Sequence, residues 1–133
     1  MNDYIVDTIA LVSYLENDLP VPADKIFKLA EQNKCKLLVP EIVIGEFIYI
    51  CLKGRLKTSN PKSLIMEVLI SLDACRYVDF TGMDTDAWEE FLESDIRELH
   101  DRMICSIALS KNAIVITNDD DIMKNGAIET VWD

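Results

Sequence analysis

The chain has 133 residues, of which 50% are hydrophobic, so we expect one globular domain over residues 1–133 with a substantial core. The formal net charge of −11 argues against a protein that binds nucleic acids through its overall charge. It does not exclude a nucleic-acid enzyme, because basic residues predominate between Lys25 and Lys62 and acidic residues between Asp79 and Asp101.

The predicted elements alternate between strands and helices along the chain. Short runs of β-branched and other apolar residues predict strands, and apolar residues spaced three or four apart predict helices. The predicted strands cover residues 3–6, 37–39, 76–79, 114–116 and 128–131, and the predicted helices cover residues 8–16, 23–32, 40–52, 61–73, 84–93, 99–111 and 121–124. This alternation predicts an α/β fold in which helices cover both faces of a parallel sheet.

Targeting signals and cysteine chemistry are not evident in the sequence. No apolar run is long enough to span a bilayer, and the first three residues lack the positive charge of a signal peptide. The four cysteines are widely spaced and form no C-x-x-C pair, which argues against a zinc site or a disulfide framework. We therefore expect a cytoplasmic protein whose cysteines are small buried thiols.

Two consecutive helices carry more apolar surface than a small sheet can cover. The helix from Glu41 to Leu52 is apolar nearly all round, with Glu46 as its single charged residue between Glu41 and Lys53. Such a helix is buried on more than one side, either by its own core or by a partner chain. Together with the following helix, it predicts a homodimer.

Carboxylates follow two of the predicted strands directly. Asp7 follows the first strand, and Asp119, Asp120 and Asp121 follow the strand at residues 114–116. Open α/β sheets bind ligands at this edge, beyond the carboxyl ends of the strands. Taken alone, however, Asp7 could simply cap a helix, and the three later aspartates could form a solvated turn.

Two further acids lie on apolar helix faces. Residues three, four and seven positions apart share a face of a helix, and by this rule the residues that follow Asp101 and several neighbours of Glu46 are apolar. They are Ile104, Cys105 and Ala108 for Asp101, and Val43 and Ile50 for Glu46. A carboxylate in such a position is unfavourable unless it is paired or binds a metal ion. Arg97 or Arg102 could pair with Asp101, so both explanations stay open.

Convergence of these acids on one cleft would create a metal site. Like charges at close range do not all ionise without compensation, and carboxylate oxygens suit Mg²⁺ or Mn²⁺. A metal-loaded acidic cleft typically acts on phosphates. His100 is the single histidine, and we interpret it as a surface or helix-cap residue outside the site.

Three segments of the sequence resemble the PIN-domain ribonucleases, and most closely the VapC toxins of toxin–antitoxin pairs. They read YIVDTIALVSYL at residues 4–15, VPEIVIGEFIY at residues 39–49 and HDRMICSIALSKNAIVITNDDDI at residues 100–122. The resemblance covers nearly the whole chain and extends to the order of helices and strands. It implies a three-layer α/β/α sandwich with a central parallel sheet in strand order 3-2-1-4-5.

The resemblance also implies a set of site residues. The metal-binding and catalytic acids of the family fall on Asp7, Glu46, Asp101 and Asp119, with Asp121 as a further metal ligand. Thr8 and Thr117 match the hydroxyl residues that help to hold the site. The family often has an aromatic residue after the last acid, where this chain has Ile122, and Asp120 has no fixed counterpart.

The function implied by this resemblance is Mg²⁺- or Mn²⁺-dependent hydrolysis of RNA phosphodiester bonds. It further implies a homodimer and an antitoxin partner of the VapB kind, whose inhibitory segment is apolar and carries an Arg or Lys. We expect RNA phosphates to contact Lys53, Arg55 and Lys57, beyond the helix that carries Glu46, although a solvated loop is an equal alternative.

Two other classes of protein compete with the nuclease interpretation. A non-catalytic PIN-like scaffold would share the fold and bind a partner without cleaving RNA. A phosphoacceptor receiver domain also alternates strands and helices, but it requires an aspartate directly after its third strand, where Asp79 lies only approximately. It also requires paired acids after the first strand, whereas Thr8 follows Asp7 here.

Overall fold

The computed structural model describes residues 2–56 and 59–133, and a parallel sheet forms its centre. In the described residues the sheet has five strands in the order β3-β2-β1-β4-β5, as the resemblance implies. The strands are β1 (Asp3–Val6), β2 (Lys36–Pro40), β3 (Val78–Thr81), β4 (Ile114–Ile116) and β5 (Thr130–Val131). Every pairing between neighbours is parallel. The predicted fold class is therefore confirmed.

Helices connect the strands along the chain. They are α1 (Thr8–Leu15), α2 (Val21–Glu31), α3 (Glu41–Leu52), α4 (Pro61–Ala74), α5 (Thr85–Glu93), α6 (Leu99–Lys111) and α7 (Asp120–Met123). Crossovers between parallel strands are right-handed. The connections β1 to β2 to β3 therefore place α1 to α4 on one face, and the connections β3 to β4 to β5 place α5 to α7 on the other. The direction of the crossovers reverses between β1 and β4, and this reversal creates a crevice at their carboxyl ends.

The central strands form the core because their side chains are apolar on both faces. Ile5 and Val6 of β1 and Val115 and Ile116 of β4 are at most 1% exposed. Parallel strands covered by helices on both faces lose the alternation of polar and apolar residues, which explains these continuous apolar runs. Full burial of each such side chain contributes about 1.5–3 kcal/mol to folding.

Several element boundaries differ from the prediction by about two residues. Helix α2 begins at Val21 rather than at residue 23, because Pro22 fits the first turn, where its missing N–H is not needed. Pro40 ends β2 and precedes α3 instead of opening that helix. Strand β3 lies two residues later than predicted, because Phe80 and Thr81 pair with the end of β2.

The last strand is shorter than predicted. It contains only Thr130 and Val131, since the backbone N–H of Ile128 bonds to the carbonyl of Asn125 in a turn instead of joining the sheet.

No described helix is long and apolar enough to cross a membrane. The cysteines are free thiols, and Cys35, Cys51 and Cys105 are buried while Cys75 is partly exposed.

Helix α3 buries only one of its apolar stripes within the chain. Val43, Phe47 and Cys51 are fully buried, whereas Tyr49 is 56% exposed and Leu52 is 58% exposed. The core of the described chain therefore covers one side of α3, and the remaining apolar side faces outward.

Candidate active site

One cleft receives acidic side chains from separate parts of the fold, beside the carboxyl ends of β1 and β4. Its volume is about 370 Å³. It is lined by Asp7, Thr8, Ile9, Glu46, Glu98, His100, Asp101, Asn118, Asp119 and Asp121. The crossovers that reverse at β1 and β4 place this cleft at the edge where open α/β sheets bind ligands.

Asp7 is a buried acid of the cleft that accepts two hydrogen bonds. Its Oδ1 accepts a hydrogen bond of 2.8 Å from the backbone N–H of Thr8, and its Oδ2 accepts one of 2.6 Å from the hydroxyl of Thr117. Asp7 is only 4% exposed. Burial raises the pKa of its carboxyl, and the bond from Thr117 and the nearby His100 lower it in part. Asp7 thus caps α1 and also faces the cleft.

Thr117 connects the two strand ends through its hydroxyl. While it donates to Asp7, the same oxygen accepts a hydrogen bond of 3.0 Å from the backbone N–H of Asp119. Asp119 in turn caps α7, because its Oδ1 accepts bonds from the backbone N–H groups of Asp121 and Ile122. The capping roles considered for Asp7 and Asp119 are therefore real, and the same side chains line the cleft.

Asp101 is buried at the start of α6. It is 5% exposed and lies above Ile104, Cys105 and Ala108, which are all buried. Burial raises the pKa of the Asp101 carboxyl to about 6, with further contributions from the charges of Asp119 and Glu98.

A salt bridge to arginine or lysine does not explain the burial of Asp101. The guanidinium of Arg102 donates to the carbonyl oxygens of Phe91 and Ile96 and stacks on the ring of Phe91. Over residues 2–56 and 59–133, no Lys or Arg nitrogen lies within 4.0 Å of the carboxylates of Asp7, Glu46 or Asp101. The pairing of Asp101 with Arg97 or Arg102 is therefore wrong.

His100 lies inside the cleft, contrary to the sequence interpretation. Its side chain is 14% exposed, and its Nε2 lies 3.6 Å from Oδ1 of Asp7 and 3.7 Å from Oε2 of Glu46. Its Nδ1 lies 3.5 Å from Oδ1 of Asp101. In the sequence, His100 stands directly before Asp101, and this was the one indication that it belongs to the site. The periodicity of the helix does not show that the first turn of α6 faces the crevice.

Glu98 is the second residue that sequence analysis missed. It caps α6, because its carboxylate accepts hydrogen bonds from the backbone N–H groups of His100 and Asp101. Burial opposes its ionisation, but these bonds prevail and hold the pKa of Glu98 below its ordinary value. Glutamate is not among the preferred capping residues, so composition gave no signal for this role.

The remaining predicted residues differ in how they meet the cleft. The side chain of Glu46 is 41% exposed and reaches the cleft from α3. Asp121 is exposed but lines the cleft, whereas Asp120 is exposed and does not belong to its lining.

The basic residues expected to contact RNA do not line the cleft. The ammonium of Lys53 lies 5.3 Å from the ring centroid of Tyr49. Arg55 lines a separate apolar groove, and Lys57 lies outside the described residues. Their contact with RNA stays a prediction.

The donor atoms of the cleft fit a hard divalent cation. One group of potential ligands consists of Asp101, Asp119 and Asp121, and another of Glu98, His100 and Asp101. Within each group one donor atom per residue lies within 4.8 Å of the others. Carboxylate oxygens dominate both groups, which suits Mg²⁺ and Mn²⁺.

The position of Asp79 argues against a receiver domain. Asp79 lies within β3 rather than after it, and its carboxylate is 3.7 Å from the ammonium of Lys36. It does not line the acidic cleft. The acids therefore gather at the carboxyl ends of β1 and β4 rather than around a phosphoacceptor on β3.

The fold and the acidic cleft together define a PIN-type α/β/α protein. The model of the PIN domain family matches residues 4–128, so the chain belongs to this family. Members of the family are in general nucleases that use a divalent metal ion.

Solved structures share this fold at low sequence identity. The structure of VapBC2 from Rickettsia felis bound to a DNA fragment from its promoter aligns with a TM-score of 0.75 and 18% identity, covering 98% of this chain and 99% of that one. DNA-bound VapBC from Salmonella typhimurium aligns with a TM-score of 0.71 and 18% identity, covering 98% of both chains. PAE2754 from Pyrobaculum aerophilum aligns with a TM-score of 0.62 and 18% identity, covering 98% of this chain and 84% of that one. No curated protein matches the sequence.

The raised pKa of Asp101 predicts a pH-dependent stability. The carboxyl titrates near 3.8 in its ordinary state and near 6 in the fold. Between these values the folded protein binds more protons than the unfolded chain, so stability falls as the pH rises through this window. Asp101→Asn lacks this loss. We therefore compare the free energies of unfolding of Asp101→Asn and wild type in EDTA. The value for the mutant minus the value for wild type should be about 1–3 kcal/mol larger at pH 7 than at pH 4.

Urea unfolding at both pH values measures this difference. The exposed Asp120→Asn is the matched control and should show no such pH dependence. Mg²⁺ should raise the melting temperature of wild type and of the control, by mass action on the folded state, but not that of Asp101→Asn. A destabilised Asp101→Asn whose Mg²⁺ response is retained would show that Asp101 has a structural role instead.

Proposed function

We propose that this chain is a divalent-metal-dependent endoribonuclease that hydrolyses RNA phosphodiester bonds and serves as the toxin of a toxin–antitoxin pair. The convergence of Asp7, Glu46, Asp101 and Asp119 on one cleft supports this proposal most directly. No arginine or lysine of the described residues neutralises Asp7, Glu46 or Asp101 at close range. Membership of a nuclease family supports the same activity.

In this proposal the acids hold Mg²⁺ or Mn²⁺, with Asp121 beside them. When bound, the cation supplies a nucleophilic water and stabilises the negative charge that develops on the phosphate. The acids must be ionised for this role. Their negative charges repel one another at close range, and a bound cation relieves this repulsion.

The hydrogen bonds of the chain keep the acids in place before substrate binds. Thr117 and the N–H of Thr8 together occupy both oxygens of Asp7, so its carboxylate cannot rotate freely. Asp119 uses one oxygen to cap α7, which leaves the other for the cleft. Such preorganisation lowers the cost of aligning donors around a phosphate during the reaction.

Loss of single acids tests the nuclease activity. Asp7→Asn and Asp119→Asn should each reduce Mg²⁺- or Mn²⁺-dependent cleavage of RNA by about 100-fold or more, since each removes charge from the cation site. Asp120→Asn is the control and should cleave at the wild-type rate. Cleavage of end-labelled RNA, with EDTA as a second control, measures this effect. Folded wild-type protein without any metal-dependent cleavage would favour a non-catalytic scaffold.

An apolar groove on the face formed by α1 to α4 supports the antitoxin part of the proposal. It has a volume of about 670 Å³ and lies among α1, α2, α4 and the sheet. Its apolar lining includes Leu11, Tyr14, Phe27, Leu64, Val68 and Leu72. Val6, the residue before Asp7, also lines it, so a segment seated in the groove could extend toward the acids. The VapBC structures with the same fold support a partner of the VapB kind.

A charge in this groove should disrupt binding of the antitoxin. Leu64→Asp places a carboxylate among apolar side chains, so capture of the protein encoded by the adjacent reading frame should weaken at least about tenfold. Leu92→Asp is the control, because Leu92 is 77% exposed on α5, away from the groove. Co-purification and titration calorimetry measure the effect. Equal binding by both variants would contradict this placement of the partner.

A second apolar surface supports the proposed homodimer. Between α3 and α4 a shallow groove of about 430 Å³ is lined by Ile44, Leu69, Ile70 and Phe80, with Glu41 and Asp73 at its edge. Ile70 is 64% exposed and Phe80 is 40% exposed. Exposed apolar surface of this kind marks sites of association, and a two-fold axis would bring two copies of the same patch together.

The dimer is tested by solution mass. Multi-angle light scattering at micromolar concentration should give twice the chain mass for wild type and for Leu92→Glu, and a monomer mass for Ile70→Glu, because the latter buries two like charges at the two-fold contact. Circular dichroism should confirm that Ile70→Glu is folded. A wild-type protein that is monomeric under these conditions would exclude the homodimer.

A further inference from the structure

The single imidazole of the chain lies among three carboxylates contributed by three different parts of the fold. Asp7 follows β1, Glu46 lies on α3, and Asp101 lies beside His100 on α6. Nε2 of His100 faces Asp7 and Glu46 at 3.6 and 3.7 Å, and Nδ1 faces Asp101 at 3.5 Å. The ring is 14% exposed, so the surrounding cleft holds it inside the acidic cluster.

These distances are long for hydrogen bonds but suited to shared coordination. An N–H···O bond usually spans about 2.7–3.2 Å between heavy atoms. Two donors on one cation, each bound at about 2.1 Å, lie about 3.0–3.4 Å apart in octahedral or tetrahedral geometry. The separations of Nε2 from Asp7 and from Glu46 are a few tenths of an ångström above that range, so a small side-chain rotation would bring Nε2 and one of these carboxylates onto one ion.

The two ring nitrogens also have the surroundings of a ligating histidine. A neutral imidazole has one N–H and one lone pair. If Nδ1 carries the hydrogen, it points to the carboxylate of Asp101, and the lone pair of Nε2 points to Asp7 and Glu46. Metal-binding histidines commonly donate their second N–H to a carboxylate, and the separation of 3.5 Å between Nδ1 and Asp101 is a few tenths of an ångström longer than such a bond. The hydroxyl of Thr8 also lies 3.3 Å from Nε2.

We infer that Nε2 of His100 is a metal ligand, and that the site therefore binds Mn²⁺ in preference to Mg²⁺. This inference rests on the proposed metal-dependent function and adds a nitrogen donor to its acids. Imidazole nitrogen favours transition metals, whereas Mg²⁺ prefers oxygen donors and retains its water. Asp101 then orients the ring through Nδ1 with one oxygen and keeps its other oxygen for the group that it forms with Asp119 and Asp121.

Pulsed electron paramagnetic resonance of bound Mn²⁺ tests the inference directly. A coordinated imidazole nitrogen modulates the electron spin echo at ¹⁴N frequencies. Because the chain contains one histidine, no other imidazole can produce this signal. We expect the modulation in wild type loaded with Mn²⁺, its loss in His100→Gln, and its replacement by a ¹⁵N pattern after selective labelling of histidine.

Metal affinity provides the second measurement. Titration calorimetry should show that His100→Gln binds Mn²⁺ at least about tenfold more weakly, while its affinity for Mg²⁺ changes by less than about threefold. Asp120→Asn should retain both affinities. Circular dichroism and the melting temperature in EDTA should show that His100→Gln is folded.

The possible outcomes separate the inference from the proposed function. Absence of Mn²⁺ and Mg²⁺ binding by folded wild type would overturn the metal site itself. Binding of Mn²⁺ without ¹⁴N modulation would retain the metal site and reject His100 as its ligand. Tighter binding of Mn²⁺ by His100→Gln would also reject the inference, because it would show that the ring competes with the metal for the acids.

Discussion

The buried hydrogen bond between Thr117 and Asp7 is the interaction on which the candidate site depends. It joins residues that follow the two central strands, 110 positions apart in sequence, at the point where the crossovers change direction. Thr117 is fully buried, so its hydroxyl has no access to solvent and satisfies both Asp7 and the N–H of Asp119. A buried hydrogen bond to a charged group contributes about 1.5–3 kcal/mol. One side chain thereby fixes the spacing between the acids that follow β1 and β4.

The start of α6 supplies the other side of the cleft through a different set of contacts. Glu98 caps the helix and fixes the N–H groups of His100 and Asp101. Arg102 anchors the same turn to the end of α5 through the carbonyl of Phe91. The guanidinium of Arg102 is therefore committed to backbone oxygens, and within the described residues no arginine or lysine pairs with Asp101. A buried acid without such a partner is unfavourable in the protein alone and favourable as a ligand.

The exposed apolar surfaces of α3 and α4 are the second feature of the fold that the chain does not satisfy by itself. Helices α3 and α4 each bury one stripe in the core and leave a second one outside. The groove among α1, α2 and α4 and the patch between α3 and α4 lie on different sides of α4, so one helix can serve two contacts. A small sheet covers only part of so much apolar surface, and the proposed association with other chains would remove the remainder from water.

The class of fold and most of the acidic residues that line the cleft could be predicted from the sequence, because local patterns carry that information. Continuous apolar strands and amphipathic helices specify a parallel sheet, and the apolar neighbours of Asp101 correctly indicate that it is buried. The boundary errors at β3 and β5 arose because pairing with β2 and a local turn decided where those strands lie. Tertiary structure alone decided that Glu98 and His100 line the cleft and that Arg102 turns away from Asp101. Those outcomes depend on the direction in which the first turn of α6 meets β1 and α3, and helical periodicity contains no information about which neighbouring element a face will meet.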